Sequence, residues 1–194
     1  EYAGSAALEI ASASVSVNHS TVRRGSGIGI RVRAGATIAN STISEHNGAG
    51  VYVDGPATLT NNTVSNNKDY PVQISADQVK GTSLSNNVFS GNIVSGNPAD
   101  TVYIQAGNLD GAHVWPAWLT NTPTRLWWIT VNNGATLSLP AGATLRFIGG
   151  LTVNGTLNAV GTPEAPITFT TANPSPAPGQ WGSIAFQSGS SGVL

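Results

Sequence analysis

A formal net charge of −1 over 194 residues gives no general field to draw the chain to nucleic acid or to an anionic membrane surface. Only 9% of residues are charged, against about 25% in ordinary soluble domains, and 23 glycines with abundant Ser, Thr and Asn supply the polarity instead. That composition suits tightly turned extended chain rather than helix, and zero cysteines exclude disulfides, thiolate metal sites and cysteine nucleophiles.

No apolar run approaches the ~20 residues that span a bilayer. The chain opens on Glu1 with neither an initiator Met nor a signal-peptide profile, and is expected to be a processed product or an excerpt of something longer.

The first elements are short alternating segments. Ala7-Leu8-Glu9-Ile10, Gly29-Ile30-Arg31-Val32, Gly50-Val51-Tyr52-Val53 and Pro71-Val72-Gln73-Ile74 start at positions 7, 29, 50 and 71, a nearly constant pitch, and Thr101-Val102-Tyr103-Ile104 follows. Each has the period-2 pattern of a half-buried strand, with Leu8, Ile10, Ile30, Val32, Val51, Val53, Val72 and Ile74 facing in. A fourfold echo keeps step with them: Val17–Val22, Ile38–Ile43, Leu59–Val64 and Leu84–Phe89, starting at positions 17, 38, 59 and 84.

Later elements repeat the scheme in other words. Ile129-Thr130-Val131 is echoed by Leu151-Thr152-Val153, Leu137-Ser138-Leu139 by Leu157–Val160, and Leu145-Arg146-Phe147 by Ile167-Thr168-Phe169, all at a similar pitch. Repeats of this length are stacked supersecondary units, none of which buries its own apolar face. Three short strands per coil, with about 21 residues per coil and roughly eight coils, describe an all-β parallel β-helix. The crossover rule makes it right-handed.

Three regions are expected: 1–104, coils with an Asn ladder; 105–127, a Trp-rich seam between repeat units; and 128–194, coils continuing the same solenoid. With no amphipathic capping helix, no charged terminal coil and strand-like segments near both termini, the ends are expected to be uncapped.

The Ile38–Ile43 and Leu59–Val64 motifs, with Gly134–Leu137, Gly155–Thr162, Pro166–Phe169 and Gln180–Ile184, resemble the secreted bacterial right-handed parallel β-helix repeat proteins of the pectin-lyase-like fold. The resemblance implies an extracellular or cell-surface location and a scaffold shared among many functions. Leu126–Phe186 looks like the opening of such a domain and Tyr2–Asn97 like its continuation, so the order reads as one window cut from a tandem array.

His19, Asn40, Asn61 and Asn86 share one aligned position, beside Ser20, Ser41, Asn62 and Asn87, and are expected to form a structural amide ladder at a coil corner. The sequons at Asn18, Asn40, Asn61 and Asn154 are more simply explained by the coil, since an inward Asn carries no glycan. Alignment sets Arg31 beside Glu9 and Arg33 beside Asp54, leaving Arg23 and Arg24 without assigned partners. Trp115, Trp118, Trp127 and Trp128 crowd the seam, either as junction packing or as a carbohydrate-binding platform.

Catalysis is not expected. The aspartates at 54, 69, 77, 100 and 110 are scattered, no facing carboxylate pair can be assembled, and His19, His46 and His113 fall in separate contexts. No catalytic residue, metal site or cofactor is assigned.

The expected partners are copies of the chain stacked head-to-tail, or tandem repeats of the same polypeptide, with a polysaccharide as the alternative and no nucleic acid or membrane insertion. Tyr2, Leu8, Ile10, Ile184, Phe186, Val193 and Leu194 are expected to carry the end contact of an extracellular fibre, stalk or surface layer. A polysaccharide lyase or hydrolase is the remaining alternative.

Overall fold

The computed structural model describes residues 5–194. The fold is an all-β parallel solenoid of about seven turns, about 22 residues each, with three stacked strand rows per coil. One compact unit takes in the chain as far as Ile74 together with Gly81–Val102, and the other takes in Ser75–Lys80 and Tyr103–Leu194.

In the first unit the first row is Ala6–Ile10, Ile28–Val32, Val51–Val53 and Val72–Ile74. The second row is Val15–Asn18, Ala36–Ala39, Ala57–Thr60 and Thr82–Ser85. Thr21–Arg23, Thr42–Ser44, Thr63–Ser65 and Val88–Ser90 form the third. All pairings within these rows are parallel and in register, so like residues stack: Ile30 on Val51 on Val72, Ile38 on Leu59 on Leu84, Ile43 on Val64 on Phe89.

Successive rungs lie about 4.8 Å apart, close enough for each aliphatic side chain to cover the next. Ile30, Ile38, Ile43, Val51, Leu59, Val64 and Val72 are fully buried as a result. Each contributes about 1.5–3 kcal/mol relative to exposure.

Between the second and third rows the chain turns through a left-handed residue in every coil: His19, Asn40, Asn61 and Asn86, at φ 49°, 49°, 56° and 53°. A second left-handed corner follows the third row at Arg24, Glu45, Asn66 and Gly91. Asn and Gly accept this conformation more readily than other residues, which accounts for the asparagine echo. The last echo arrives later than the pitch of the earlier ones predicts, because the 3-10 turn Ala76–Gly81 is inserted before Thr82–Ser85.

The second unit stacks Thr124–Leu126, Thr144–Phe147 and Thr168–Thr171 in one row. Gly107–Leu109, Ile129–Val131, Leu151–Val153 and Ile184–Phe186 form another, and Ala112–Val114, Thr136–Ser138, Thr156–Asn158 and Ser191–Val193 a third. Within 105–127 the structure places two strands and a turn: Gly107 pairs with Ile129 and Ala112 with Thr136, so two rows of the second unit begin here, and the 3-10 turn Ala117–Thr120 follows. The buried residues of this stretch include Leu109, His113 and Trp115, of which His113 does not look like a core residue in the sequence.

Turns are fewer than roughly eight because several connections absorb chain that a constant pitch would assign to another coil. These are the Ala76–Gly81 turn, the antiparallel pair Ile93–Val94 with Asn97–Pro98, the 3-10 turn Ala117–Thr120, and the 172–183 loop. Beside that loop, Trp181 stacks on Phe147 at 5.2 Å between centroids, and Phe169 flanks Phe147 at 6.5 Å.

Candidate functional site

The amide ladder sits one residue beyond its expected place. His19, Asn40, Asn61 and Asn86 are exposed corner residues; among them only Asn40 and Asn61 are bridged by side chains, with Asn40 also donating to Asn18 Oδ1. The buried column is Ser41, Asn62 and the partly buried Asn87. Asn62 Oδ1 accepts the Ser41 backbone N–H at 3.0 Å and Asn87 Oδ1 accepts that of Asn62 at 3.0 Å. Their Nδ2 groups donate to the Ile38 and Leu59 carbonyls, each at 2.8 Å.

Left-handed φ lifts the corner side chain into solvent and turns the following one inward, where it satisfies backbone groups that water does not reach. Since Asn40 and Asn61 are exposed, burial is no obstacle to a glycan at their sequons.

A second buried column follows the other corner: His46, Asn67 and Asn92. Asn67 Oδ1 accepts the His46 N–H at 3.0 Å, and Asn92 Oδ1 accepts both the Asn67 N–H and its Nδ2. Asp100 ends the column, its carboxylate accepting the N–H groups of Gly91 and Asn92 and the Asn92 Nδ2.

His46 fills an asparagine position. Its Nδ1 accepts the Gly25 N–H at 3.0 Å while Nε2 donates to the Val22 carbonyl at 3.1 Å. A Cβ at Gly25 would lie 2.8 Å from that Nδ1, so the ring takes the space a side chain there would need. Burial pushes the His46 pKa down, against the Val22 carbonyl and Glu45, which raise it. The column was legible in the sequence: positions 46, 67 and 92 keep the same intervals as positions 38, 59 and 84 of the echo.

The first row of the first unit carries crossed ion pairs. Arg31 is in register with Glu9 but pairs with Asp54 at 2.9 Å and lies over the Tyr52 ring at 5.0 Å, while Arg33 pairs with Glu9. Both arginines reach diagonally, a separation that long side chains span easily. Arg24, expected to lack a partner, pairs with Glu45 at 2.6 Å.

The other aspartates are engaged locally. Asp69 accepts from the Tyr70 N–H and Gln73, Asp77 from Gln78, and Asp110 from Asn132. Burial pushes the Asp69 carboxyl up, an effect those two donors oppose. His113 is buried, with Nε2 at 3.2 Å from the Asp110 carbonyl and 3.4 Å from Lys80 Nζ; burial and then Lys80 hold its pKa down.

The four tryptophans divide into two pairs. Trp115 and Trp118, the latter on the 3-10 turn Ala117–Thr120, are 2% and 7% exposed and have no face for a ligand. Trp127 and Trp128 are 45% and 42% exposed, at the corner between Thr124–Leu126 and Ile129–Val131. Trp128 Nε1 donates to Thr152 Oγ1 at 3.0 Å, and its ring edge would lie 3.2 Å from a Cβ at Gly150 and 3.0 Å from one at Gly182. Those two glycines clear the space for the indole, and the hydrogen bond sets its orientation.

The coil geometry and its paired corners agree with comparison: the family described as right-handed β-helix region matches residues 2–124. The chain belongs to that family. No curated protein and no solved structure matches it.

In this right-handed β-helix the strands Ala6–Ile10, Val15–Asn18 and Thr21–Arg23 are paired on one side only among the described residues. So are Thr168–Thr171, Ile184–Phe186 and Ser191–Val193. Of the residues expected to make an end contact, Tyr2 lies outside the described residues. Leu8 and Ile184 are half-buried, and Phe186, Val193 and Leu194 are exposed. Ile10 is only 3% exposed, in register with Val32, and so has little surface to offer.

A groove of about 400 Å³ over the second row of the first unit is lined by Ser14, Ser16, Thr37, Thr58 and Pro56, with no charged group among the described residues.

Proposed function

We propose that this β-helix is a structural module of an extracellular fibre, stalk or surface layer, stacking head-to-tail with identical or tandem units. The observation that carries the proposal is the contrast between fully buried inner columns and the half-buried or exposed Leu8, Ile184, Phe186 and Val193 on strands paired on one side. Such edges template further pairing.

A second copy would extend three rows at once, Ala6–Ile10 on Thr168–Thr171, Val15–Asn18 on Ile184–Phe186 and Thr21–Arg23 on Ser191–Val193. A contact of this kind is heterologous and gives open filaments rather than closed rings. Sedimentation velocity across a wide concentration range, with electron microscopy of the same samples, tests it. Rods that lengthen with concentration and shorten in Phe186→Glu and Val193→Lys support stacking. Monomers at every concentration refute it.

A second reading rests on Trp127 and Trp128. Their exposed faces, one of them held by Thr152, suit stacking against the C–H face of a sugar ring. Retention on glycan matrices should fall in a Trp127→Ala/Trp128→Ala variant and stay unchanged in Trp118→Phe. Equal retention by all three proteins removes this reading.

A further inference from the structure

We propose that Arg125 and Arg146 bind sulfate or phosphate ester groups on a glycan that passes over the second unit. The proposal rests on the sugar-stacking reading of Trp127 and Trp128 and names the chemistry of its ligand. Leu126 is in register with Phe147, so Arg125 and Arg146 are direct neighbours on consecutive rungs about 4.8 Å apart. Both are half-buried and alternate with the buried Thr124, Leu126, Leu145 and Phe147, which directs them to the outward face.

Like charges placed directly opposite one another on neighbouring strands repel. In the first unit the row cations are matched, Arg31 with Asp54 and Arg33 with Glu9. Among the described residues the ion pairs include neither Arg125 nor Arg146. Two adjacent, unneutralised guanidiniums leave a place for an anion from outside the chain.

The chemistry of the pair favours a tetrahedral oxyanion. Each guanidinium is a rigid planar fork, and one carboxylate is filled by a single fork. A sulfate or phosphate ester has three free oxygens and can face both arginines together. Thr170 stands opposite Arg146, and Thr144 opposite Thr168 beside them, offering hydroxyls to a sugar. Trp127 and Trp128 follow Arg125 closely, at the corner that ends its strand.

The test is retention of the whole chain, in affinity electrophoresis, on dextran sulfate, phosphomannan, polygalacturonate and neutral dextran. The parent chain should be slowed by one or both ester polymers, and which of them is stronger identifies sulfate or phosphate. Arg125→Gln/Arg146→Gln should lose at least tenfold in apparent affinity, with a melting temperature no lower than the parent's because the repulsion is relieved, and Arg125→Lys/Arg146→Lys should recover only part of the affinity. Arg23→Gln, on the other unit, should behave as the parent.

The proposal is overturned if the Gln double variant binds the ester polymers like the parent, or if polygalacturonate is held as tightly as both. Loss in Trp127→Ala/Trp128→Ala with no loss in the arginine variant sinks the ester site alone. The reverse pattern sinks the stacking and leaves the ester site standing.

Discussion

Replacing Asn62 by Ala tests the amide ladder most directly. The substitution strips the buried Ser41 N–H of its acceptor, takes one donor from the Ile38 carbonyl, which keeps its place in the strand ladder, and takes a donor from Asn87 Oδ1. Each buried backbone group left unpaired costs about 1–3 kcal/mol. The Ser41 N–H alone places the expected loss at about 1–3 kcal/mol, and the space vacated by the buried amide adds to it.

Asn61→Ala, one residue earlier, removes an exposed side chain whose amide contact to Asn40 is long, 3.4 Å. Its cost is the left-handed backbone at φ 56°, about 1–2 kcal/mol. Asn61→Gly should recover most of that. Urea unfolding by circular dichroism gives the global values, and amide exchange at Ser41 gives the local one, which matters because repeat arrays need not unfold in a single step. If Asn61→Ala destabilises as much as Asn62→Ala, or if Ser41 stays protected in Asn62→Ala, the buried ladder does not support the coil.

The His46 site makes stability depend on pH. Burial lowers its pKa in the fold, so between that value and the ordinary ~6.5 the unfolded chain binds more protons. The contribution is complete above pH ~6.5, falls as acid takes the pH below it, and levels off under the folded pKa. Melting temperatures at pH 7.5 and 5 should show the fall, and His46→Asn should reduce it.

Gly29→Ala would set a Cβ 2.5 Å from the Gly50 carbonyl and 2.7 Å from the His46 ring, and should cost about 1–3 kcal/mol in chemical unfolding. Asp100→Ala removes the acceptor for three N–H donors, and faster amide exchange at Gly91 and Asn92 than at Asn67 should report it.

The rows were legible because two periods coincide: alternation within each strand and a near-constant pitch between coils. Ile30, Val51 and Val72 satisfy both and stack as expected. The ladder was misplaced by one residue because asparagine serves two physical ends in succession. It tolerates the left-handed corner at Asn61 and completes backbone hydrogen bonds at Asn62, and residue type alone does not separate the two.

Alignment gave the Cα register of Glu9 and Arg31 correctly, but not the diagonal reach that joins Arg31 to Asp54. The strands Gly107–Leu109 and Ala112–Val114 were hidden within 105–127 because His113 stands where Leu137 stands on the next rung. Exposure alone separates Trp127 and Trp128 from Trp115 and Trp118, and exposure follows from which side of the chain each residue occupies.

In-register stacking also restricts how the molecule can change length. Deleting one whole winding, Ile38 through Thr58, would bring Leu59 into the place of Ile38, with every later side chain still on its own side of the wall. Deleting one residue inside Ala57–Thr60 would turn the rest of that strand inside out, setting Thr60 where Leu59 had been. Growth and shrinkage by whole windings are thus the mild route for such a gene, and a single-codon loss within a strand is the harsh one.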